Sequence, residues 1–463
     1  MRPRLLPLLA LALGACSQVP ELAVPDMPLP AAYGTEDPAT LTAPAAWWLL
    51  FGSAELDRLE QAALAANHDL KAAIARIEQA EAQLKIAGAP TLPTVTAGLD
   101  GTNRMTRGGT TTSGVRSTSK SPTTSRSFQG SVAASYEVDF WGKTSASILS
   151  AESSLAASRF DRDTVALTLT ADVATTWLQA LALADRVAVA RRNLELARQT
   201  LDLAEKQAAF GKTSQLDAAQ QRATVAAIEA RLPALEMQHQ QSVNALAILT
   251  GLAPSQLRID TNTLAGLPAP VVAAGLPSEL LRRRPDIARA EANLAATNAN
   301  IGIARAQLYP SLTLTAEGGY SNPYLISLLD AHNTFWTLGT SLAATLFDNG
   351  KLHGNVELNE AKLREAAESY QSTVLTALRE VEDQLTAVRW LAGQEEAQLR
   401  AVTAAREAQR LSDVRYREGA VDYLTVLEAQ RTLLDSEDSA VQVRLSRLDA
   451  SVGLVKALGG GMQ

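Results

Sequence analysis

No proline or glycine occurs between Thr144 and Phe210, and this uninterrupted stretch constrains the fold more than any other feature of the chain. A single helix of roughly 65 residues would extend about 100 Å at ~1.5 Å per residue. Small and aliphatic residues recur along it in alternating steps of four and three, which is the period of a coiled coil. The predicted seam consists of Leu169, Val173, Thr176, Ala180, Leu183, Val187, Ala190, Leu194, Ala197, Leu201, Ala204 and Ala208. Its many alanines predict close packing between helices.

The chain contains an internal duplication. Residues that match at an offset of 217 positions are Asp69 with Asp286 and Pro93 with Pro310, and those at an offset of 208 are Lys143 with Lys351, Gly211 with Gly419 and Leu216 with Leu424. The first half therefore has nine extra residues between Pro93 and Lys143. The Ser/Thr/Gly-rich residues 106–127 are predicted to form an enlarged surface loop there. A repeat of this size indicates two copies of one structural unit.

Each half also contains two segments in which apolar and polar residues alternate, as in a two-faced β-strand. These segments are residues 93–100, 128–140, 312–320 and 336–346. Strands of about ten residues are long enough to cross a bilayer obliquely. A soluble antiparallel sheet with one face on a core is the alternative. We predict a mainly α-helical protein with a membrane β part.

Four strands cannot close a barrel, since even the smallest membrane barrels use about eight. Three copies of the chain would supply about twelve strands, and symmetric assembly removes the free sheet edges. The expected fold therefore combines long coiled-coil hairpins with four transmembrane β-strands per protomer, which form a 12-stranded β-barrel in a trimer.

The predicted domain boundaries follow the two repeats. They are a signal peptide at 1–15, a lipidated segment at 16–52, a first repeat at 53–250, an equatorial linker at 251–277, a second repeat at 278–457 and a tail at 458–463. Within the repeats, β-hairpins are expected at about 93–140 and 311–347, and long helical hairpins at 144–250 and 351–457. Residues 17–52, the linker and the tail are expected to pack together as a belt midway along the helices.

The only cysteine, Cys16, ends a short apolar stretch that follows Arg2 and Arg4. The order Leu-Gly-Ala-Cys resembles the lipobox at which bacterial lipoproteins are cleaved and acylated. We therefore expect N-acyl and S-diacylglycerol groups on Cys16, and no disulfide. An unlipidated secreted protein is the alternative. Without the two signal arginines, 40 of the 42 basic residues remain against 49 acidic ones, which argues against nucleic acid as a partner.

Two tight reversals are predicted where the long helices turn back. Gly211 and Gly419 occupy the position after each helix, and Ser214 and Asp422 are expected to cap the return helices. Ser214 and Asp217 have the spacing of a capping box. The predicted docking tips are Gly211, Lys212, Thr213, Ser214, Gly419, Ala420, Val421 and Asp422. Capping alone is the alternative role for Ser214 and Asp422.

Signs of catalytic chemistry are sparse. Gly211-Lys212-Thr213 is not a phosphate loop, because Lys206 stands where the first glycine is required and both flanks are helical. The four histidines are scattered without a second ligand at metal spacing. The sequence therefore predicts no enzyme, no metal site and no cofactor besides the lipid on Cys16.

Several segments carry a resemblance to a known family. The most specific are residues 281–291, Leu-Arg-Arg-Arg-Pro-Asp-Ile-Ala-Arg-Ala-Glu, and residues 301–312, Ile-Gly-Ile-Ala-Arg-Ala-Gln-Leu-Tyr-Pro-Ser-Leu. The others are Trp47-Trp48…Phe51, Phe140-Trp141-Gly142-Lys143, Phe347-Asp348-Asn349-Gly350-Lys351, Tyr416-Arg417-Glu418-Gly419 and the run from Tyr423 to Arg431. Together they resemble the TolC-like outer-membrane efflux proteins, specifically the NodT-type lipoprotein branch, across nearly the whole mature chain.

The resemblance implies a trimeric duct in the outer membrane, continuous with a periplasmic α-barrel. Its implied partners are a periplasmic membrane-fusion adaptor and an inner-membrane resistance-nodulation-division pump. The periplasmic mouth would be narrowed by Leu424 as an apolar ring, Glu428 as an acidic ring and Arg431 as its basic partner. Relatives often have Asp at the position of Glu428. A helix-surface pair of Glu428 with Arg431 is the alternative.

The favoured function is therefore a passive trimeric duct that exports drugs, solvents or similar small molecules across the periplasm and outer membrane. A lipoprotein that tethers or scaffolds the cell envelope through its coiled coil is the competing function. Within the duct class, metal-ion efflux and protein secretion stay open, because pump and adaptor largely select the cargo.

Overall fold

The computed structural model describes residues 18–34, 43–106, 123–261, 263–270 and 272–460. The predicted signal peptide, Cys16 and residues 461–463 lie outside the described residues.

Eight helices of more than five residues occur in the described ranges. They are α1 (Ala54–Ala66), α2 (His68–Gly88), α3 (Lys143–Ala209), α4 (Gln215–Leu249), α5 (Pro277–Arg283), α6 (Pro285–Ala306), α7 (Lys351–Arg417) and α8 (Tyr423–Ala457). Both α3 and α7 contain 67 residues, and both α4 and α8 contain 35. Since α3 and α7 begin 208 positions apart, as do α4 and α8, the structure reproduces the duplication.

An aspartate just before each of the two longest helices, α3 and α7, caps the first turn of that helix. The Asp139 carboxylate accepts hydrogen bonds from the amides of Thr144 (3.0 Å) and Ser145 (2.9 Å). Asp348 accepts from the amide of Leu352 at 2.8 Å at the start of α7. These carboxylates accept hydrogen bonds from first-turn amides that have no acceptor within the helix. Their negative charge also interacts favourably with the positive end of the helix dipole.

The predicted seam of α3 is buried or half-buried throughout. One 18-residue stretch of α3 is also apolar enough to cross a membrane by length and composition, but 56% of it is buried inside the protein. Core helices pass the same test, so the stretch is explained by packing between helices.

The four strands form one antiparallel sheet in the order β1-β2-β3-β4. Their bounds are Thr94–Thr106, Thr123–Val138, Ser311–Asn322 and Thr334–Ala343. β1 and β2 pair as far as Thr106 with Thr123, so the hairpin extends into both ends of the predicted loop at residues 106–127. The prediction missed this because threonine suits a paired strand as well as a loop.

At the other end of the sheet, β4 stops earlier than predicted. Ala343 pairs with Ser311, the first residue of β3, so Thr345 and Leu346 lie beyond the ladder. The residue before Ser311 is Pro310, which has no amide hydrogen to donate to a ladder and follows directly after the turn that ends α6. β4 therefore has no partner past Ala343.

The register separates the sheet into two faces, because directly paired residues point the same way. One face exposes large apolar side chains, namely Val95, Leu99, Val132, Leu314, Trp336, Leu338 and Leu342. The opposite face contains Asp100, Gln129, Ser131, Thr313, Glu317 and Thr337. Its side chains interact, since Gln129 donates to Glu317 at 3.0 Å.

The chain divides into two compact units that both cut across the repeats. One contains residues 78–156 and 291–368, including the whole sheet, together with the N-terminal residues up to 24. The other contains residues 25–77, 157–290 and 369–463. Its core includes Trp47, Trp177, Leu264 and Leu458, so residues before α1, the linker and the end of the described chain pack on the same helices.

Candidate gate and docking tips

Two similar reversals join the paired long helices. Gly211 follows α3 with φ +69°, and Gly419 follows α7 with φ +75°. The amides of Gly211 and Lys212 donate to the carbonyls of Ala208 and Gln207, at 3.0 and 2.9 Å. The same two bonds close the end of α7, and both ends are Schellman motifs. Glycine is required at the first position because a side chain is strained at positive φ.

The return helices are capped as predicted, with one correction. The Ser214 hydroxyl accepts from the amide of Leu216 at 3.0 Å, and the Asp422 carboxylate accepts from the amide of Thr425 at 3.0 Å. The predicted capping box is wrong, because the serine bonds the second residue of the helix and Asp217 offers only its amide to the Ser214 carbonyl. At Asp422, bonds from the side chain and amide of Thr425 hold the pKa below its ordinary value.

Both tips contribute to one groove of about 590 Å³. Of the predicted tip residues, its walls include Lys212, Thr213, Gly419, Val421 and Asp422. Gly211, Ser214 and Ala420 are exposed beside it but do not line it. The structure thus brings the two tips together, although 208 positions separate them in the sequence.

Two exposed apolar residues at the first tip were not among the predicted docking residues. Phe210 is 81% exposed and Leu216 is 61% exposed. Both flank the predicted residues Gly211 to Ser214, and Leu216 lines the groove. Their size beside a predicted reversal was the available signal, since large apolar side chains are seldom left at a bare helix end without a binding partner.

The three predicted gate residues lie on the first turns of α8. Leu424 is 63% exposed, and Glu428 and Arg431 are exposed as well. Their spacing of four and three positions puts them on one face of the helix. Among the described residues, Glu428 and Arg431 form no ion pair with each other or with another side chain.

A buried hydrogen-bond chain positions this end of α8. The Tyr423 hydroxyl donates to the side-chain oxygen of Gln221 on α4, and the Gln221 amide group donates to the carbonyl of Ala197 on α3 at 2.7 Å. Gln430 donates to the hydroxyl of Thr200, also on α3, at 2.8 Å. The residues next to Leu424 and Arg431 are therefore tied to both helices of the first hairpin by neutral contacts.

Burial keeps the tip phenols protonated. It raises the pKa of Tyr423 to about 12, and the nearby Thr224 hydroxyl opposes the shift only in part. Burial, with the charge of Asp217, also raises the pKa of Tyr416, whose ring meets that of Tyr423 edge to face at 6.0 Å. Tyr423 therefore stays a hydrogen-bond donor across the physiological pH range.

Further along α8 the contacts become ionic. Glu437, almost fully buried, accepts from Arg406 on α7 at 2.6 Å and from Asn193 on α3 at 3.1 Å. Arg186 binds Asp438 through two nitrogens, at 2.6 and 3.2 Å. Within the described chain, no ion pair joins α8 to another helix between Tyr423 and Ser436. The first turns of α8 are therefore joined to the neighbouring helices by neutral hydrogen bonds and apolar contacts, and the ion pairs begin at Glu437.

Nothing in the described ranges supports bound metal. No group of three or more His, Cys, Asp or Glu side chains that could hold an ion occurs among residues 18–34, 43–106, 123–261, 263–270 and 272–460.

Comparison with known proteins agrees with this geometry. The family model described as "Outer membrane efflux protein" matches residues 59–252 and 276–460, which contain the four strands and helices α1–α8 apart from the first residues of α1. The chain is 43% identical to the pyoverdine export outer membrane protein OpmQ of Pseudomonas putida over 470 residues, covering 99% of this chain and 97% of that protein.

Two further likenesses extend this result. Nodulation protein T of Rhizobium leguminosarum bv. viciae is 32% identical over 461 residues, covering 98% of this chain and 92% of that protein. The Neisseria gonorrhoeae MtrE outer membrane channel, solved in its open state, superposes with a TM-score of 0.84 at 27% identity, over 96% of this chain and 98% of that one. The predicted combination of long helical hairpins and a membrane β part is confirmed, and the chain belongs to the outer membrane efflux protein family.

Proposed function

We propose that three copies of this chain form a passive duct whose periplasmic mouth is narrowed by Leu424, Glu428 and Arg431. Location in the outer membrane and a role in efflux follow from the family. The proposal for the gate depends on the exposure of these three side chains on one face of α8. At this end of the helix, the polar contacts to other helices that the described residues make are neutral hydrogen bonds.

The sheet supplies the wall of the duct in this proposal. Three sheets would close into a 12-stranded barrel with the apolar face toward lipid and the polar face toward water. Members of the family form trimers and work in tripartite pumps. The free edges of β1 and β4 support the same assembly, because an unpaired strand edge in a membrane is costly.

The proposed partners are a periplasmic adaptor and an inner-membrane pump. The groove formed by both tips would receive a periplasmic membrane-fusion adaptor, because Gly419 leaves room for a close helical contact beside the apolar side chains of Leu216 and Leu424. A resistance-nodulation-division pump in the inner membrane would supply the energy. Docking can open the mouth only to the extent that the adaptor binds the dilated state more tightly than the closed one.

The cargo in this proposal is a small organic molecule. Drugs and solvents were expected from the resemblance, and the similarity to a pyoverdine exporter adds a siderophore of that kind as a candidate. The anchor would be a lipid on Cys16, with N-acyl and S-diacylglycerol groups. No catalytic step is assigned to the chain, since transport leaves the cargo unchanged.

The test is conductance of the purified full-length protein in planar bilayers, with export measured in cells that lack the gene. A low-conducting channel that Glu428→Ala opens, and restored export of the cargo by the wild-type gene, would support the duct. Protein that inserts without conducting in either form, and a gene whose loss leaves export unchanged, would favour an envelope tether instead.

A further inference from the structure

The connection between β3 and β4, residues 323–333, exposes an unusual amount of apolar surface. Four large side chains project from it: Tyr324 (69% exposed), Leu325 (57%), Ile326 (99%) and Leu329 (76%). We call these four residues and their connection the apolar loop. Contiguous exposed apolar side chains on an ordered protein mark a contact surface.

The apolar loop has a defined structure of its own. Short 3₁₀ turns occupy Leu325–Ser327 and Ala331–Asn333. The Asn322 side chain accepts from the amide of Tyr324 at 2.7 Å, and the Asn333 side chain donates to the carbonyl of Ser327 at 2.6 Å. Leu328 is buried beneath them. The exposed side chains are therefore held outward by local bonds.

The topology of the sheet fixes the position of the apolar loop along the strand direction. β3 begins just after α6 and β4 ends just before α7, so the apolar loop lies at the end of the sheet away from the helices. In the register, Asn322 pairs with Phe128. From Val138 to Phe128, strand β2 rises about 34 Å at ~3.4 Å per residue, or about 26 Å when tilted by ~40°, which matches the ~25 Å apolar band of a membrane barrel.

The outward side chains of β2 change from apolar to polar at the same height along the strand. Beyond Phe128, the outward residues of β2 are Arg126 and Thr124, and Asn103 lies opposite Arg126 on β1. The apolar loop thus begins where the lipid-facing band ends, beside polar strands that continue past it. The side chains of the apolar loop continue the exposed apolar surface to which Trp336 and Leu338 on β4 belong.

We propose that the apolar loop lies in the outer leaflet of the membrane and anchors the external end of the barrel to lipid. The inference rests on the membrane barrel of the family and concerns a contact that the duct itself does not require. The surface is continuous with the lipid-facing band, and its occupant is the acyl region just below the headgroups. Apolar and aromatic side chains are favoured at that depth.

A neighbouring copy of the chain fits the apolar loop less well than lipid. Closing the barrel brings β1 of the next copy alongside β4, and the outward residues of the upper part of β1 are Gly101, Asn103 and Met105. Of these only Met105 has an apolar side chain, so a neighbouring strand would cover little of Ile326 and Leu329. Lipid offers them an apolar environment.

The test uses a fluorophore that reports its surroundings. The full-length protein carrying Ile326→Cys is labelled with an NBD group and reconstituted into phosphatidylcholine vesicles, with or without a phosphatidylcholine that carries a doxyl quencher on its acyl chain. Aqueous iodide is the second quencher. Val132→Cys on the apolar sheet face and Ser131→Cys on the polar face are matched controls, and the unmodified chain measures background labelling at Cys16.

We expect the doxyl lipid to reduce the emission at position 326 at least twofold, as it does at position 132, and iodide to have little effect. Iodide quenching like that at position 131 would overturn the proposal, as would resistance to both quenchers, which would mean burial against another copy. Leu329→Cys repeats the measurement if the first variant folds poorly. Failure of lipid to quench position 132 would instead count against the membrane barrel itself.

Discussion

The guanidinium of Arg284 donates two hydrogen bonds to the carboxylate of Asp286, at 3.0 and 2.6 Å, across the junction of α5 and α6. The same buried arginine contacts Glu380 on α7 at 2.8 Å and the carbonyl of Ala457 at the end of α8 at 2.9 Å. This pair lies within the Arg-Arg-Pro-Asp segment that carries the resemblance to the family. Its role here is to join four helices.

We expect Arg284→Ala to destabilise the protein by about 1–3 kcal/mol, because it removes the charged hydrogen bonds of a buried guanidinium and leaves the half-buried Asp286 without its partner. Thermal unfolding followed by circular dichroism in detergent measures the effect. Arg283→Ala is the matched control, since its pair with Glu279 is partly exposed and worth at most about 1 kcal/mol. Equal losses in the two variants would contradict the structural role.

The same pair predicts acid sensitivity. Burial alone would raise the pKa of Asp286, but the hydrogen bonds and charge of Arg284 outweigh it and hold the pKa below its ordinary value. Since the folded state favours the ionised form, this stabilisation is complete above the unfolded pKa of ~3.9 and is lost as the pH falls through the lowered value. An Asp286→Asn variant should lose less stability between pH 5 and pH 3 than the wild type.

Glu60 predicts the opposite dependence on pH. It is fully buried on α1, neither carboxylate oxygen has a hydrogen-bond partner among the described residues, and burial raises its pKa to about 9. The folded state holds a proton that the unfolded chain releases above pH ~4.3, so stability falls as the pH rises toward 9. Glu60→Met should be more stable at pH 8 by about 1–3 kcal/mol.

Glu60→Gln is the control variant, because it removes the titratable carboxyl group but keeps a polar side chain of similar size. It should flatten the fall in melting temperature between pH 6 and pH 9. A melting temperature that is independent of pH in the wild type over that range would show that Glu60 is not a buried neutral acid.

For the gate, Glu428→Ala and Arg431→Ala should each raise single-channel conductance in planar bilayers. Removal of either charged side chain widens the mouth and changes the field of the proposed rings. Thr432→Ala, at the exposed position next to Arg431, is the matched control and should leave the conductance unchanged. Conductance equal to the wild type in both charge variants would exclude these residues from the gate.

At the docking tips, Lys212→Glu together with Val421→Asp should abolish co-purification of the periplasmic adaptor, because both side chains line the shared groove. Capping is untouched, so the melting temperature should stay within a few degrees of the wild type. Asp435→Ala, on α8 away from the tip groove, is the control. Normal adaptor recovery with the double variant would place docking elsewhere.

Much of the architecture could be predicted from the sequence because it is repetitive. The offset of 208 positions placed Gly211 opposite Gly419, and the structure gives both the same Schellman motif. Alternation along each strand predicted the two faces, since a period of two leaves no other arrangement. These features are local or periodic, which is why residue order alone reveals them.

Contacts between distant helices could not be predicted in this way. The chain from Tyr423 through Gln221 to Ala197 joins three helices, and no spacing rule marks a glutamine as its middle member. The capping box failed for a related reason, because residue order does not show whether Ser214 bonds the second or the third amide of the helix. Glu60 carried no signal, since a glutamate on a short helix is ordinarily solvated.

The most direct test of the trimeric lipoprotein duct is native mass spectrometry of the protein extracted from membranes in mild detergent, reading the number of copies and the mass of the N-terminus together. We expect three chains, each beginning at Cys16 and carrying three acyl groups. An unlipidated monomer that keeps its fold without detergent would contradict it.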